Sequence, residues 1–231
     1  ANTATLASDL TLNTGSAGIQ TFAFAGTGNW TVNCNLAGGN QAGNSVTKSG
    51  AGNLTIGGPN TYTGTTTVSA GTLTLSGTGT IGATTSALTV SGGIVDLGGL
   101  SRTNGTVTLT SGTLSNGTQQ ASTLTANNTV EMTVSAKLVG TAALTKTGAG
   151  TLILNSATAN TYSGGTTIGS GQAAAVLRAA ATQALGSGTV QTDSGGNASP
   201  ARLEVTNGIS LNNAITLYGR NNSSVGIQSL G

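Results

Sequence analysis

The acidic side chains of this chain are few, and they limit the chemistry open to it. They are Asp9, Asp96, Asp193, Glu131 and Glu204, and no two of them are adjacent in sequence. Cleavage of a polysaccharide needs paired carboxylates, a strong base or a bound metal ion. The chain also has no histidine, which excludes a histidine-based triad and a histidine-containing zinc site. We therefore predict that the protein is not an enzyme and has no catalytic residue, metal site or cofactor.

Glycine-rich segments can bind phosphate or calcium, but those of this chain do not match the motifs that do so. None of the 38 glycines lies in a G-x-x-x-x-G-K-[ST] phosphate loop. The stretch "GGIVDLGG" at 92–99 has a passing likeness to a calcium-binding nonapeptide but lacks the tandem copies that complete an ion cage. The glycines are better interpreted as corners between strands.

The basic residues and the cysteine point to no partner or reaction. Seven Lys and Arg side chains are dispersed along the chain and give a net charge of +2, so we expect no nucleic-acid partner. Cys34 is the only cysteine and lies in "WTVNCNL", where apolar and polar residues alternate. We predict a buried core thiol. No apolar run approaches the length needed to span a bilayer as a helix.

The elements that must position these residues are predicted to be short strands. Only 5% of the residues are charged and 36% are hydrophobic, and Thr, Ser, Asn and Gly fill the rest, a composition typical of strands and tight corners. Asn-Gly and Gly-Gly pairs at 57–58, 104–105, 116–117 and 207–208 are expected to supply positive φ. Apolar residues alternate with polar or small residues at 10/12, 22/24, 54/56, 73/75, 88/90, 107/109, 130/132/134, 203/205, 209/211 and 215/217.

An internal repeat decides between an antiparallel sandwich and a parallel β-solenoid. The segment "SGAGNLTIGGPNTYTGTTTVSAGTLTLSG" at 49–77 returns at 147–172 as "TGAGTLILNSATANTYSGGTTIGSGQ", with two residues inserted before Asn160. A solenoid absorbs such an insertion in one corner, because each coil pairs only with its neighbours. Segments 70–77, 91–99 and 111–117 are interpreted as single walls of successive coils. For 172–186, a short helical turn and a continued wall both remain open.

The repeat also has the wording of a known family. "VTKSGAGNLTIGGPNTYTGTTTVSAGTLTL" (46–75) and "LTKTGAGTLILNSATANTYSGGTTIGSG" (144–171) resemble the autotransporter-associated β-strand repeat, also called the passenger-associated transport repeat. The resemblance implies a right-handed parallel β-helix exported by bacteria. It also implies a C-terminal outer-membrane translocator, which we expect outside this chain, and a location outside the cell or on its surface.

The residues shared by the two copies are predicted to be structural. Tyr62 and Tyr162 are expected to cover the coil edge with a wet hydroxyl, and Asn60 and Asn160 to stack or to bond corner backbone. The two lysines are expected to keep their charges in water. The full set of motif residues is Lys48, Gly50, Gly52, Asn60, Tyr62, Gly64, Lys146, Gly148, Gly150, Asn160, Tyr162 and Gly164.

These observations predict one all-β solenoid over residues 1–231, with repeat units at 46–77 and 144–172, as part of a longer polypeptide or assembly. The first functional hypothesis is a non-enzymatic surface stalk or fibre element that self-associates end to end or laterally through open coil edges. The alternative is an adhesin that binds glycan or a host protein on a flat Thr- and Asn-rich wall. Against glycan binding, the aromatic residues Phe22, Phe24 and Trp30 are expected to face inward. A polysaccharide-cleaving enzyme is the remote alternative.

Overall fold

A computed structural model describes residues 2–11, 18–39, 42–169, 174–192, 201–218 and 226–231. No α-helix occurs in these ranges, so none of the described residues forms a helix that could cross a membrane. The strands, in chain order, are β1 (Thr3–Leu6), β2 (Leu10–Thr11), β3 (Thr21–Phe24), β4 (Asn29–Val32), β5 (Leu36–Ala37), β6 (Ser45–Lys48), β7 (Asn53–Ile56), β8 (Thr66–Val68), β9 (Thr72–Leu75), β10 (Leu88–Asp96), β11 (Ser101–Ser115), β12 (Thr118–Ala126), β13 (Met132–Val134), β14 (Lys137–Val139), β15 (Leu144–Lys146), β16 (Thr151–Leu154), β17 (Thr166–Ile168), β18 (Val176–Ala179), β19 (Val190–Thr192), β20 (Arg202–Thr206), β21 (Ile215–Thr216) and β22 (Ile227–Leu230).

The strands stack in parallel as a β-solenoid with three sides. Wall A is formed by β1, β4, β7, β9, the ends of β10 and β11, then β13, β16, β18, β20 and β22. Wall B is formed by β3, β6, β8, the start of β10, the middle of β11, the end of β12, then β15, β17, β19 and β21. Side C has shorter pairings among β2, β5, the starts of β11 and β12, and β14. The predicted all-β solenoid is therefore confirmed.

Successive turns differ in length without breaking the ladders. Residues that hydrogen-bond between adjacent turns are 20, 24 or 26 positions apart in different parts of the chain. The corners absorb the difference, since the wall strands keep one-to-one register across it. The segments interpreted as successive walls agree with this register, because Thr72 pairs with Ile94 and Ile94 pairs with Thr113.

The core is a set of inward columns of aliphatic side chains, one residue from each rung. On wall A, Leu54, Leu73, Val95 and Leu114 follow one another in register, and all four are fully buried. Because every turn buries its apolar residues only against the turns above and below, the core runs along the whole solenoid axis. Cys34 lies in this core with 4% exposure, as predicted.

Several residues that were predicted to face inward from a strand are exposed or lie outside the strands. Val130 is 56% exposed and precedes β13, while Ile215 and Leu217 are 36% and 46% exposed. The pair at 209/211 is not in a strand, Leu10 is 42% exposed, and position 12 lies outside the described residues. Within 172–186, residues 174–186 contain strand β18 and a turn rather than a helix.

The glycine corners were also only partly understood. Positive φ occurs at Asn116, Gly117 and Gly208, as expected, but not at Gly58 or Gly105. A Cβ at Gly58 would overlap the carbonyl of Cys34 on the preceding turn, and one at Gly105 would overlap that of Thr85. Close approach between turns, rather than backbone handedness, therefore requires glycine at these two positions.

Candidate functional site

The asparagine of the first repeat ties three turns together. The side chain of Asn60 is 4% exposed. Its Oδ1 accepts a hydrogen bond from the backbone N–H of Leu36 (2.8 Å), and its Nδ2 donates to the carbonyl of Thr80 (2.7 Å). Leu36 lies on the preceding turn and Thr80 on the following one, so one amide group satisfies a backbone donor and a backbone acceptor that side C leaves unpaired.

The second repeat reproduces this clamp. Oδ1 of Asn160 accepts from the backbone N–H of Leu138 (2.8 Å), and Nδ2 donates to the carbonyl of Ala184 (2.7 Å). Asn160 is 3% exposed. Of the two roles predicted for Asn60 and Asn160, bonding to corner backbone is the one observed. Both bonds are close to ideal length.

Each motif tyrosine is buried, which contradicts the predicted wet hydroxyl. Tyr62 is fully buried and Tyr162 is 1% exposed. The hydroxyls of Tyr62 and Thr66 are 2.6 Å apart, and those of Tyr162 and Thr166 are 2.7 Å apart. Desolvation raises the pKa of both phenols, and the hydrogen bond with threonine only partly offsets it.

The register explains why the tyrosine hydroxyl is needed inside. Thr66 pairs with Val46, and Thr166 pairs with Leu144, both in an inward column of wall B. A threonine in this column brings a hydroxyl into an apolar core, where an unpaired hydroxyl is costly. The phenol of the tyrosine four residues earlier satisfies this hydroxyl. Tyrosine and threonine therefore act as a buried pair within each repeat.

Sequence reasoning missed two further members of the motif, Gly82 and Gly186. Each lies on the turn after the tyrosine with positive φ, +68° and +61° respectively. A Cβ at Gly82 would come within 2.9 Å of the ring of Tyr62, and one at Gly186 within 3.0 Å of the ring of Tyr162. The signal in the sequence is an aliphatic-Gly pair, Ile81-Gly82 and Leu185-Gly186, one turn after each tyrosine.

The motif lysines are buried, so the prediction that they keep their charges in water is wrong. Lys48 is 2% exposed, and Lys146 is fully buried. Nζ of Lys48 donates to the carbonyls of Gly50 and Ala70, and Nζ of Lys146 donates to the carbonyl of Gly148. Desolvation lowers the pKa of both ammonium groups, that of Lys146 to about 8. Each lysine bonds to one carbonyl of the corner that follows it, and Lys48 also bonds to one on the next turn.

The motif glycines keep the corners close to the preceding turn. A Cβ at Gly50 or Gly52 would overlap the backbone of Gly26 or Gly28, and the same holds between successive turns at the other four positions. None of the six has a left-handed φ. The other four motif glycines are Gly64, Gly148, Gly150 and Gly164.

The described carboxylates also make hydrogen bonds or ion pairs with nearby groups of the protein. Oδ1 of Asp9 accepts from the backbone N–H of Asn35, and Oδ1 of Asp96 accepts from the backbone N–H of Gly98, each at 2.8 Å. Oε2 of Glu131 lies 3.5 Å from the Arg178 guanidinium. Asp193 lies outside the described residues.

Glu204 is the buried carboxylate among the described residues, and two arginines neutralise it. Nε of Arg178 donates to Oε2 of Glu204 (2.8 Å), and Arg202 donates to Oε1 through Nε and one terminal nitrogen. Burial alone would raise the pKa of this carboxyl, but the bonds from Arg202 and Arg178 outweigh it and lower the pKa. A carboxylate held in this way on wall A is an ion-pair element and is poorly suited to proton transfer.

Cys34 and the metal-ligating residue types offer no reactive centre in the described ranges. Burial, followed by the nearby Asp9 carboxylate, raises the pKa of the Cys34 thiol, so the thiolate that reacts is disfavoured. No group of three or more Cys, Asp or Glu side chains comes together within those ranges in a way that could hold a metal ion.

The motif residues thus define a parallel β-solenoid whose turns are clamped from inside. Residues 46–75 and 144–172 match the family model described as the passenger-associated-transport-repeat. The chain therefore contains two copies of this repeat, and together with the fold they fit an autotransporter passenger. The repeat is associated with autotransporter export to the cell surface. No curated protein and no solved structure matched the chain.

Proposed function

We propose that the protein is a non-enzymatic structural β-solenoid, a stalk or fibre element at the surface of a bacterium. The observation that carries this proposal is the duplicate clamp. In both repeats the asparagine, tyrosine and lysine side chains are buried, and their polar atoms bond to the protein itself. Repeated residues that serve only to hold turns together favour a protein whose function is its length and rigidity.

The repeat supports a proposed export route. Autotransporter passengers are carried to the surface by an outer-membrane translocator, and we propose such a translocator, outside this chain, as a partner of the protein. A solenoid suits such a route, because each turn can fold on the one already formed. The proposed location is the extracellular side of the outer membrane.

Self-association through strand edges is part of the proposal. Among the described strands, β1 pairs with β4 alone and β22 with β20 alone, which leaves one edge of each open to further β-structure. Beside β1 lies an apolar hollow of about 250 Å³. Its lining residues are Leu6, Leu10, Phe22, Ala23, Phe24 and Trp30. We propose a second copy as the occupant, and electron microscopy of purified protein tests this by showing filaments or isolated rods.

An experiment on the carboxylates separates the structural function from an enzymatic one. In the source bacterium, the gene is replaced by a variant carrying Asp9→Asn, Asp96→Asn, Glu131→Gln and Asp193→Asn, with Glu204 left intact. A structural element retains the surface phenotype that gene deletion abolishes. Loss of that phenotype with unchanged amounts of protein at the surface would overturn the proposal. The adhesin alternative is tested by saturable binding of the purified chain to a glycan array or host cells.

A further inference from the structure

Wall B carries an uninterrupted column of threonines on its outer face. The strand register places one threonine on each of seven successive rungs, always between two inward-facing residues. We call this column the threonine ladder, and its members are Thr47, Thr67, Thr89, Thr108, Thr125, Thr145 and Thr167. Wall A has a shorter run of four, Thr5 to Thr74, which Asp96 ends.

The hydroxyls of the threonine ladder are not used by the protein. Within the described residues, the first six make no hydrogen bond to another protein group, while Oγ1 of Thr167 accepts one from Gln191 (3.2 Å). The inward threonines Thr66 and Thr166 contrast with them, because each is paired with a tyrosine. Six regularly spaced hydroxyls are therefore left for a partner outside the protein.

Among the residues that the structure describes, those beside the ladder carry no charge. Residues two positions before and after each ladder threonine point to the same side of the sheet, and they are Ser, Thr, Ala, Gly or Asn. The lysines of wall B, Lys48 and Lys146, face inward. The other described charges lie on wall A, as with Arg178, on side C, as with Lys137, or, for Glu131, in the corner before wall A, where it pairs with Arg178. An uncharged face excludes nucleic acid and anionic membranes as partners.

The dimensions of this face of wall B further limit the class of partner that it could bind. Rungs are spaced by about 4.8 Å and residues on one side of a strand by about 6.6 Å, so seven rungs cover roughly 400 Å². A stable protein–protein contact needs about 800 Å² per partner. The face also has no aromatic ring on which a sugar could stack. The partner that fits is uncharged and periodic, and it bonds to hydroxyl groups.

We propose that the threonine ladder is an ice-binding face. In ice, every oxygen is a hydrogen-bond donor and acceptor on a regular lattice, and a threonine hydroxyl has the same capacity. A row of hydroxyls fixed by a rigid sheet can take the places of lattice waters without losing further conformational freedom. The methyl groups between them exclude liquid water from the contact. The proposal rests on wall B alone and is independent of the export route.

Partition into slowly growing ice tests the proposal. A fluorescent label is attached to the full chain, and the labelled protein is compared with two double variants. Thr108→Tyr with Thr125→Tyr places bulky rings on adjacent rungs of the ladder, while Thr113→Tyr with Thr133→Tyr places the same rings on adjacent rungs of wall A. Tyrosine is favoured on half-buried strand positions such as these, and circular dichroism establishes that each variant is folded. A single variant, Thr89→Tyr, serves if the ladder pair does not fold.

The expected result is that the wild-type protein and the wall A variant enter the ice, and the ladder variant is excluded. Exclusion of the wild-type protein, at the level of an unrelated soluble protein, would overturn the proposal. Equal incorporation of both variants would also overturn it, since the contact would then not depend on the ladder. Ladder-dependent binding to crystalline cellulose without incorporation into ice would assign the face to a polysaccharide instead.

Discussion

The phenolic oxygen of Tyr162 lies 2.7 Å from the hydroxyl oxygen of Thr166, and both side chains are buried inside the coil. The first repeat has the same pair, Tyr62 and Thr66, at 2.6 Å. A buried polar pair that recurs in both copies shows that the repeat encodes internal contacts between a corner and the wall that follows it. The sequence conserved between the copies is thus explained by the packing of the solenoid.

Removing one hydroxyl of this pair should destabilise the solenoid. Tyr162→Phe leaves the Thr166 hydroxyl buried without a partner, and we expect a loss of about 1–2 kcal/mol in the free energy of unfolding. Thr166→Val should cost a similar amount. The double variant should cost less than the sum, because no orphaned hydroxyl remains. Denaturant unfolding measures all three, with the exposed Tyr218→Phe as the control. Strictly additive losses would contradict the pairing.

The asparagine clamp should be the more costly loss. Asn160→Ala leaves the backbone N–H of Leu138 and the carbonyl of Ala184 unpaired in the core. Two unpaired buried groups should lower the free energy of unfolding by about 2–4 kcal/mol. The matched control is Asn155→Ala in the same repeat, since Asn155 is exposed. This substitution should change the free energy of unfolding by no more than about 0.5 kcal/mol. If the two variants unfold at the same denaturant concentration, the clamp does not hold the turns together.

The spacing between turns should depend on glycine at defined corners. Gly28 and Gly52 occupy successive turns, but a Cβ at Gly52 would overlap the Gly28 carbonyl, while one at Gly28 would only touch Asn2 at 3.6 Å. We expect Gly52→Ala to destabilise the protein by about 1–3 kcal/mol and Gly28→Ala to have little effect. Thermal unfolding followed by circular dichroism distinguishes the two. Equal melting temperatures would mean that the corners are not in tight contact.

Stability should rise with pH above neutrality and fall again in strong base. The pKa of Lys146 is lowered from 10.5 to about 8 in the folded state, so the unfolded chain binds more protons above pH 8 and unfolding becomes less favourable. The lowered pKa of Lys48 acts in the same direction. The two phenols have pKa values raised above 10.0, so above pH 10 the unfolded chain loses protons that the folded chain keeps, and stability falls.

The measurement is the melting temperature between pH 7 and pH 11. We expect a maximum near pH 10, and Lys146→Met should flatten the rise between pH 8 and pH 10. The matched control is Lys137→Met, because Lys137 is the partly exposed lysine of β14. A melting temperature that is constant over this range, or that falls steadily from pH 8, would show that the motif lysines are not buried as charges.

Whole turns should be removable without loss of the fold. Val107 lies between Leu88 and Leu124 on wall B, so deletion of residues 107–123 brings Leu88 and Leu124 into register. We expect a folded solenoid shortened by about 4.8 Å, measurable by small-angle X-ray scattering. Deletion of residues 107–115 removes only part of a turn and puts Asn116 in the place of Val107. The following strands then lose their register, and this deletion should prevent folding. Folding of both deletion variants would argue against register-specific stacking.

The fold could be predicted because the strands and the repeat of the solenoid are evident in the local sequence pattern. Alternation at 54/56 and 73/75 and the unequal spacing of the two repeats favoured stacked parallel coils, and the structure has them. The exposed ends at Val130, Ile215 and Leu217 were missed because burial there depends on what lies on the adjacent turn. Alternation alone does not contain that information.

The motif lysines were misjudged for a different reason. Lys48 follows Val46 by two positions, and Lys146 follows Leu144 by two, so period-two alternation already places both lysines on the inward face. The prediction of charges in water relied on the general preference of lysine for solvent and disregarded the alternation pattern. The corner carbonyls that each ammonium group satisfies become visible only when the next corner folds back over the strand. The same holds for Tyr62 and Tyr162, whose partners are defined by the coil cross-section.

The measurement that tests the central claim most directly is antibody labelling of intact cells of the source bacterium. Antibodies raised against the purified chain are applied before and after permeabilisation, and intact cells are then treated with an external protease. An exported structural solenoid should be labelled on intact cells, and the label should be lost when protease releases the chain. Labelling that appears only after permeabilisation would contradict export, and with it the assignment as a surface stalk.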